Sequence, residues 1–345
     1  MTYRVLARKY RPQRFSELVG QDHIARTLTE SLKNDRIAHA HVFSGPRGIG
    51  KTTTARLLAM AINCENPEDG YEPCNECEPC ERIRDGSDVD VIEIDGASNN
   101  SVDRIRELRE NARYAPAHHD RKVYIIDEVH MLSRSAFNAL LKILEEPPEH
   151  VLFVFATTEI EQVPDTVLSR CQRYDFRLIS TREIASTLRD ICEKEDIDAD
   201  DEALYLIAKF AEGSLRDAQS ILDQMISLAG AGDKTLTEDL VSETWGIAPY
   251  DQLLGFLEAF RDENPQRSLE LLREHLESGK DLMALISDLA EMVRNCLLLR
   301  EEENSDFLQD GLPEGILPEL QELSTQLGRT EWTWMFDELL DLLQS

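Results

Sequence analysis

The clearest chemical pattern in the sequence is a glycine-rich loop that suits phosphate. It reads Gly45-Pro46-Arg47-Gly48-Ile49-Gly50-Lys51-Thr52 and matches G-x-x-x-x-G-K-[ST], the phosphate-binding P-loop. His41–Ser44 before it can form a strand, and Thr53–Ala59 after it reads as a helix, which is the context that the motif requires. Backbone N–H groups of such a loop can surround phosphate oxygens, and the helix N-terminus favours negative charge. We expect ATP to bind over 45–53, with Lys51 reaching its β- and γ-phosphates and the Thr52 hydroxyl binding Mg²⁺.

A second pattern downstream ends a strand with two acids. Lys122-Val123-Tyr124-Ile125-Ile126-Asp127-Glu128 reads as a buried strand, and two acids after such a strand form the Walker-B pattern of P-loop ATPases. We expect Asp127 to hold Mg²⁺, directly or through water, and Glu128 to act as general base on the attacking water. Acids also end strands simply because loops are polar, but their position after a P-loop favours catalysis.

Four cysteines fall within 17 positions, at Cys64, Cys74, Cys77 and Cys80. The prolines and glycine between them deny the segment a long helix or strand. Thiolates at C-x₂-C-x₂-C spacing in a loop-rich insert are typical of a structural Zn²⁺ site with no open position for catalysis. Free surface thiols are the alternative.

The elements around these motifs alternate between strand and helix. Asp90–Asp95 and Val151–Ala156 read as strands, and the periodic apolar positions after Ser101 and Ser133 read as helices. Such alternation predicts an α/β P-loop domain: a parallel sheet with helices on both faces and ligands at the carboxyl ends of its strands. Lys51, Asp127 and Thr157 belong at that edge.

From about residue 181 the sequence predicts helices and no further strands. Helical patterns run over 181–195, 200–212 and 214–229, and a further all-helical part occupies 246–345, with a loop within Glu301–Pro318. We therefore predict three domains: a nucleotide-binding domain over 1–180 with the zinc insert at about 64–80, a helical lid over 181–245, and an all-α oligomerisation (collar) domain over 246–345.

Composition sets further bounds. No apolar run approaches the roughly 18 residues of a membrane span, and the charged N-terminus does not resemble a signal peptide, so we expect a cytoplasmic protein without membrane contact. The net charge of −30 allows two interpretations, repulsion from nucleic acid or adaptation to a high-salt cytoplasm. The even spread of the acids along the chain favours the second.

Taken together, these motifs resemble those of the gamma/tau subunits of the bacterial DNA polymerase III clamp loader, which are AAA+ ATPases. The similarity covers nearly the whole chain and is tightest over 1–230. Besides the P-loop, the Walker-B acids and the four cysteines, it is carried by these segments: Tyr10-Arg11-Pro12, Asp127–Leu132, Ala139–Lys142, Glu145–Pro148, Ala156–Thr158, Ser169–Cys171 and Gly213–Asp217. The cysteine insert inside the ATPase domain is the most specific, because other AAA+ proteins generally lack it.

The resemblance implies roles for further residues. Thr157 resembles sensor 1, which orients water near the γ-phosphate, and Arg216 resembles sensor 2, which reaches the nucleotide from the lid. Arg170 resembles an arginine finger that serves the ATP of a neighbouring subunit. Without the resemblance, surface salt bridges would be the better interpretation of both arginines. The basic N-terminal arm is either an ordinary surface segment or a cover for the nucleotide base with Val19 as an apolar contact.

The implied function is ATP-driven loading of a sliding clamp onto primed DNA. Subunits of this family form a hetero-oligomeric ring, which we expect to be a pentamer using ATP, Mg²⁺ and Zn²⁺. The tail by which tau forms bind polymerase and helicase is not expected here, nor is nucleotidyl transfer by this chain. The alternatives are another ring-forming AAA+ DNA motor, such as a branch-migration helicase, and a non-hydrolysing scaffold subunit, against which the intact motifs argue.

One segment is a candidate DNA contact. Ser98, Asn99, Asn100 and Ser101 precede a predicted helix that they can cap, and its outward N–H groups would form an anion site. Arg104 and Arg106 lie in the first turns of that helix, and Arg134 opens the helix after the Walker-B acids. Plain capping with solvated arginines is the alternative. The resemblance favours phosphate contacts, which fix position on DNA without reading its sequence.

Overall fold

A parallel five-stranded sheet organises the first part of the chain. Its strands are β1 Ala40–Ser44, β2 Val91–Asp95, β3 Lys122–Asp127, β4 Val151–Thr157 and β5 Gln172–Asp175, in the order β2-β3-β4-β1-β5. The computed structural model describes residues 4–230, 235–245, 248–300 and 316–344. It confirms the predicted parallel sheet with helices on both faces.

Helices cover the sheet on both sides. They are α1 Leu6–Lys9, α2 Asp22–Lys33, α3 Lys51–Asn63, α4 Glu78–Asp85, α5 Val102–Asn111, α6 Arg134–Glu145 and α7 Asp165–Leu168. Alternate residues of each strand point to opposite faces, which divides the apolar side chains between two cores. Ile125 and Val154 join the core that includes α2, α3 and α4, whereas Tyr124 and Phe153 join the core under α5 and α6.

The edge strand β5 was not predicted from the sequence. Its four residues, Gln-Arg-Tyr-Asp, offer no apolar pattern, and only Tyr174 among them is buried. An edge strand of this kind forms because the backbone of its neighbour supplies hydrogen bonds, a contribution that side-chain pattern does not reveal. It pairs with β1, so that Ser44 lies beside both Thr157 of β4 and Asp175 of β5.

The second part of the chain is helical, as predicted, apart from two very short strands. Its helices are α8 Thr181–Lys194, α9 Asp201–Phe210, α10 Leu215–Ala229, α11 Glu238–Trp245, α12 Tyr250–Arg261, α13 Pro265–Glu277, α14 Leu282–Leu299, α15 Ile316–Gln326 and α16 Arg329–Gln344. The expectation of no further strands was wrong, because β6 Asp198–Ala199 and β7 Thr235–Leu236 form a parallel pair. Two residues per strand are too few to show a periodic pattern.

The chain divides into two compact units. The first comprises residues 1–179 together with Ser214–Asp217, and the second comprises the remainder. Within the second unit, Lys209 of α9 pairs with Asp288 and Glu291 of α14 at 3.1 and 2.6 Å. The predicted loop within Glu301–Pro318 lies outside the described residues as far as residue 315, and residues 316–318 of that range belong to α15. Among the helices that the structure describes, none is long and apolar enough to cross a membrane.

Candidate functional site

The P-loop joins the end of β1 to the start of α3. Gly50 is the residue before α3 and has φ of 105°, a backbone conformation that glycine adopts without strain. Lys51 is only 6% exposed, and its Nζ donates to the carbonyl oxygens of Gly45 and Pro46 at 2.7 and 2.6 Å. The loop therefore folds around its own lysine, with Pro46 and Arg47 on the exposed side.

The charge of Lys51 is costly where it lies. Burial lowers its pKa, and the nearby carboxylates of Glu128 and Asp127 oppose that effect. A partly buried ammonium gains from a strong anion placed against it, because fewer water molecules compete for the interaction. The site is thus electrostatically suited to phosphate.

The two predicted Mg²⁺ ligands meet directly. Thr52 Oγ1 donates to Asp127 Oδ2 at 2.8 Å, across 75 positions of sequence. Thr52 lies in the first turn of α3 and Asp127 ends β3, so the sheet brings them together at its carboxyl edge. A hydroxyl beside a carboxylate is the oxygen set by which P-loop proteins hold Mg²⁺.

Glu128 is held by residues to which the sequence assigned no role. Its Oε2 accepts from the backbone N–H of Thr158 at 3.3 Å and from the Thr158 hydroxyl at 3.1 Å. His130 is almost fully buried, and its Nδ1 lies 2.9 Å from Thr157 Oγ1 and 3.5 Å from Glu128 Oε2. The Thr157 hydroxyl also accepts from Glu159 N–H at 3.0 Å. One hydrogen-bonded network thus joins the predicted base to the predicted sensor.

The beginning of α10 docks on the P-loop through its backbone. Arg216 N–H donates to the Gly48 carbonyl oxygen at 3.2 Å. A Cβ added to Gly48, whose φ is +77°, would lie 1.9 Å from Ser214 Oγ and 3.4 Å from the Cβ of Arg216, so only glycine fits there. Arg216, predicted as sensor 2, therefore lies beside the predicted phosphate-binding loop.

Further cationic groups gather near Arg216. Burial lowers the pKa of Arg11, the guanidinium of Arg56 lowers it further, Glu93 opposes these effects, and Arg216 adds to the lowering. Arg56 is itself paired with Glu93 at 2.7 Å. Like charges that crowd together in this way favour binding of an anion between them.

Val19 lies in a turn that is tied to the P-loop side of the sheet. Gln21 is fully buried, and its side chain donates to the Arg177 carbonyl oxygen at 2.7 Å and accepts from Arg177 N–H at 3.2 Å. The preceding Phe176 donates its N–H to Ser44, directly before the loop. This arrangement brings the turn of Val19 toward the P-loop. A contact between Val19 and the base of a bound nucleotide stays a prediction.

Arg170 lies outside this cluster. It follows α7, donates to Glu145 at 2.8 Å and to the Thr166 carbonyl oxygen at 2.6 Å, and keeps about a third of its side chain exposed. No contact with the P-loop is formed within the described residues. A function in a neighbouring subunit is compatible with this surface position.

The four cysteine sulfur atoms converge, all within 4.8 Å of one another. Cys64 Sγ lies 3.9 Å from Cys77 Sγ, close to the roughly 3.8 Å that four sulfur ligands at 2.3 Å from a tetrahedral metal would show. Burial raises the pKa of Cys74, but the N–H groups of Glu76 and Cys77 outweigh it and lower that pKa to about 7. The donor set fits a tetrahedral metal such as zinc. Cys64 is also the C-cap residue of α3, directly after its last residue, Asn63.

One residue of the candidate DNA segment caps α5, as the alternative interpretation, plain helix capping, expects. Ser101 Oγ accepts from Arg104 N–H at 3.4 Å, whereas Ser98 and Asn99 bond to Asp95 instead. Asn100 accepts at its carbonyl oxygen from Ser133 N–H at 3.3 Å, which joins the N-termini of α5 and α6.

The arginines of this segment differ in their partners. Arg104 pairs with Glu107 at 2.7 Å and Arg106 pairs with Asp103 at 3.0 Å. Arg134 is exposed at the first position of α6. Two helix N-termini and an exposed arginine thus share one surface.

Models of known families match three consecutive parts of the chain. Residues 20–180 match a model described as DNA polymerase III, delta subunit, and 183–231 match the ATPase lid domain of a DNA polymerase III clamp loader subunit. Residues 236–344 match domain III of the DNA polymerase III gamma and tau subunits.

Whole-chain relatives agree with these models. The chain is 48% identical to the DNA polymerase III subunit tau of Bacillus subtilis and 44% identical to that of Escherichia coli, in each case over 87% of this chain. It spans about half the length of these two relatives, 53% and 46% respectively. The DNA polymerase III subunit gamma of Buchnera aphidicola is 43% identical, over 85% of this chain and 80% of the relative.

A solved structure shares the fold. The Thermotoga maritima RuvB Holliday junction branch migration motor superposes with a TM-score of 0.51, over 73% of this chain and 80% of that one, at 19% identity. At so low an identity the likeness concerns the AAA+ fold alone. Because the gamma subunit is matched over most of its length and three family models follow one another along the sequence, the chain belongs to the gamma/tau family of DNA polymerase III clamp loader subunits.

Proposed function

We propose that this chain is the ATP-hydrolysing subunit of a clamp loader that places a sliding clamp on primed DNA during replication. The observation that carries the proposal is the meeting of the P-loop with the acids after β3, where Thr52 Oγ1 lies 2.8 Å from Asp127 Oδ2. Family membership supplies the clamp-loading context. The chain would act in the cytoplasm, within a pentameric ring that contains other subunits.

Each residue of the site would have its own role in ATP hydrolysis. Lys51 would leave the loop carbonyls and bind the β- and γ-phosphates, for which its buried charge prepares it. Thr52 and Asp127 would hold Mg²⁺, which when bound neutralises charge that develops on the phosphates. Glu128 would take the proton of the attacking water, and Thr157 would orient that water.

Two arginines would contact bound ATP, one in the same subunit and one in a neighbouring subunit. Arg216 would reach ATP bound at its own P-loop, to which its backbone is already joined. Arg170 would leave Glu145 and approach the ATP of a neighbouring subunit, where a planar and permanently charged guanidinium suits the γ-phosphate. Val19 would contact the base, and the four cysteines would hold one structural Zn²⁺.

The test is reconstitution with clamp and partner subunits. We expect ATP hydrolysis that DNA and clamp together stimulate, and clamp transferred to primed DNA only when ATP is present.

Lys51→Ala should weaken ATP binding, whereas Glu128→Gln should bind ATP and not turn it over. Normal turnover by Glu128→Gln would contradict the assignment of the base. Movement of DNA branch points without clamp loading would favour a RuvB-like motor, and ATP binding without hydrolysis by the unaltered chain would favour a scaffold subunit.

A further inference from the structure

The loop that carries the cysteines contains a tight hairpin. Asp69 and Gly70 have φ of 50° and 78°, and Tyr71 N–H donates to the Glu68 carbonyl oxygen at 3.1 Å. Two central residues with positive φ characterise a type I′ turn, for which Asp-Gly is a favoured pair. Glu68 and Glu72 exchange backbone hydrogen bonds of 2.8 and 2.9 Å across it. The turn therefore fixes two carboxylate-bearing residues next to each other.

Glu72 binds the N-terminal arm, by which we mean residues 4–21. Its side chain is buried, and its two carboxylate oxygens accept from Phe15 N–H at 2.9 Å and from Ser16 N–H at 3.0 Å. These donors belong to the first turn of a short 3₁₀ helix, Phe15–Glu17. Hydrogen bonds to a charged acceptor are stronger than neutral ones, and burial protects these from competition by water.

Three further contacts join the same two segments. Asn75 Nδ2 donates to the Gln13 carbonyl oxygen at 3.1 Å, and Arg14 forms a two-pronged ion pair with Glu68 at 2.5 and 2.8 Å. Phe15, which is 1% exposed, lies in the same apolar core as Cys77 and Cys80. The arm is thus attached to the cysteine loop by its backbone, its charges and its core residue.

The same arm reaches the nucleotide site at other points. Arg11 lies in the group of like charges around Arg216. The turn at Val19 is followed by Gln21, whose side chain forms two hydrogen bonds with the backbone of Arg177, beside the P-loop. A segment fixed both at the cysteine loop and at the P-loop side can transmit order from one to the other.

We propose that Glu72 positions the N-terminal arm for ATP, so that metal binding by the four cysteines and ATP binding at the P-loop strengthen each other. Glu72 is then a positioning residue of the nucleotide site. The inference rests on the proposed function in taking ATP as the ligand of the P-loop. By linkage, the factor by which bound metal tightens ATP binding must equal the factor by which ATP tightens metal binding.

The unaltered chain tests this linkage without any substitution. The affinity of the purified protein for Zn²⁺ is measured by competition with a chelator that is selective for zinc over magnesium, with and without saturating Mg–ATP. We expect ATP to raise the affinity for Zn²⁺ by about 5-fold or more, the lower range of measured couplings between sites. An unchanged affinity for Zn²⁺ in a protein that demonstrably binds ATP would overturn the linkage alone. Failure to bind ATP would overturn the proposed function together with it.

A matched pair of variants tests the role of Glu72. Glu72→Gln keeps the size of the side chain and removes its charge and one acceptor, and Glu65→Gln makes the same change at an exposed position of the same loop. We expect Glu72→Gln to retain its zinc, to bind a fluorescent ATP analogue about 5-fold more weakly and to lose the effect of ATP on Zn²⁺ affinity. Its kcat at saturating ATP should stay near normal, and Glu65→Gln should match the unaltered chain throughout. A zinc-loaded Glu72→Gln that binds ATP normally would refute the role of this residue.

Discussion

Glu128 has a backbone conformation that glutamate seldom adopts. Its φ and ψ are 47° and 49°, in the left-handed region, where a non-glycine residue costs about 1–3 kcal/mol. The cost is offset by contacts that hold the side chain, above all the two hydrogen bonds from Thr158. Backbone and side chain together fix the carboxylate at the edge of the sheet. The proposed base is therefore already in position when the attacking water binds.

Thr158 should therefore affect catalysis through Glu128. In Thr158→Val the hydroxyl is replaced by a methyl group of similar size. Of the two Thr158 donors Glu128 then keeps only the backbone N–H, and its carboxylate becomes less well positioned. We expect kcat to fall about 10-fold or more, with the dissociation constant for ATP unchanged, because loss of positioning acts on the chemical step. Steady-state kinetics and equilibrium ATP binding measure the two effects. Thr187→Val, at a half-buried position of α8, is the control. An unchanged kcat in Thr158→Val would refute the positioning role.

Arg170 differs from Glu128, because its partner in the isolated chain, Glu145, is not its proposed target, the ATP of a neighbouring subunit. Arg170→Ala breaks the ion pair with Glu145, which is partly exposed and worth no more than about 1 kcal/mol. We expect ATP binding and the unfolding midpoint of the isolated chain to change little, and hydrolysis in the assembled ring to fall by a factor of about 10³ or more. An equal loss of hydrolysis in a verified monomer would show that Arg170 acts within its own subunit.

Residue types and spacing predicted the groups that lie within motifs, but not their partners. Thr52, Asp127 and Glu128 follow from two patterns that many P-loop proteins share. Thr158 and His130 could not be found in this way, because their contacts depend on β3 and β4 lying side by side. Nor does the sequence reveal that Glu72, among many glutamates, is the one buried against the arm.

At the scale of elements, the cysteine loop lies between two parts of the same core. It follows α3 directly and leads into α4, whose Cys80 is fully buried. This segment contains three prolines and one glycine and has little apolar surface of its own, so its order must come from cross-links and from its neighbours.

We expect one Zn²⁺ per chain, and its loss should destabilise the fold. Cys77→Ser removes one of four ligands and should leave most of the protein without metal, with an unfolding midpoint lower by roughly 5 °C or more, at about 2–4 °C per kcal/mol. Elemental analysis and thermal unfolding measure both effects. Cys171→Ser changes a cysteine outside the cluster and should leave the zinc content intact. Purified, untagged protein without zinc would contradict the assignment.

The apolar strands were predictable for a physical reason that β5 lacks. β1, β3 and β4 lie inside the sheet and are buried on both faces, so apolar residues predominate in their sequences. β5 has one neighbour and is polar. The helices after Ser101 and Ser133 were predictable from their periodicity and from their caps, since Ser133 accepts from Ala136 N–H as its position before α6 predicts. The helices α1, α2, α4 and α7 were not predicted.

At the scale of the whole molecule, a net charge of −30 has to coexist with binding of anions. Positive charge is concentrated locally, because Lys51 and Arg216 lie at the P-loop and Arg11 and Arg56 lie near Arg216, while acids predominate in the chain as a whole. Salt screens distant charges over about 10 Å at 0.1 M and over less at higher ionic strength, so the local groups determine what binds. The same reasoning applies to the joined N-termini of α5 and α6.

DNA should therefore be sensed at that surface despite the total charge. Arg104→Ala combined with Arg134→Ala should weaken the stimulation of ATP hydrolysis by DNA in the assembled complex and leave basal hydrolysis largely unchanged, because phosphate contacts position DNA and play no part in the ATP site. Arg36→Ala combined with Arg113→Ala removes the same charge from exposed positions elsewhere and serves as the control. Full stimulation of the first double variant would leave Ser101 and its neighbours with a capping role only.

The helix α3 connects two of these sites, because Lys51 is its first residue and Cys64 directly follows its last. Helix ends usually fray, since their terminal N–H and C=O groups lack partners within the helix, and amide protons there exchange with solvent most readily. Here the first turn would be fixed by phosphate and the last by a metal-bound thiolate, about 20 Å away at 1.5 Å per residue. Amide exchange along α3 should then be slow from end to end with both ligands bound. Withdrawal of either ligand should release exchange only from its own end, so that deuterium uptake along one helix would show which of the two sites has been vacated.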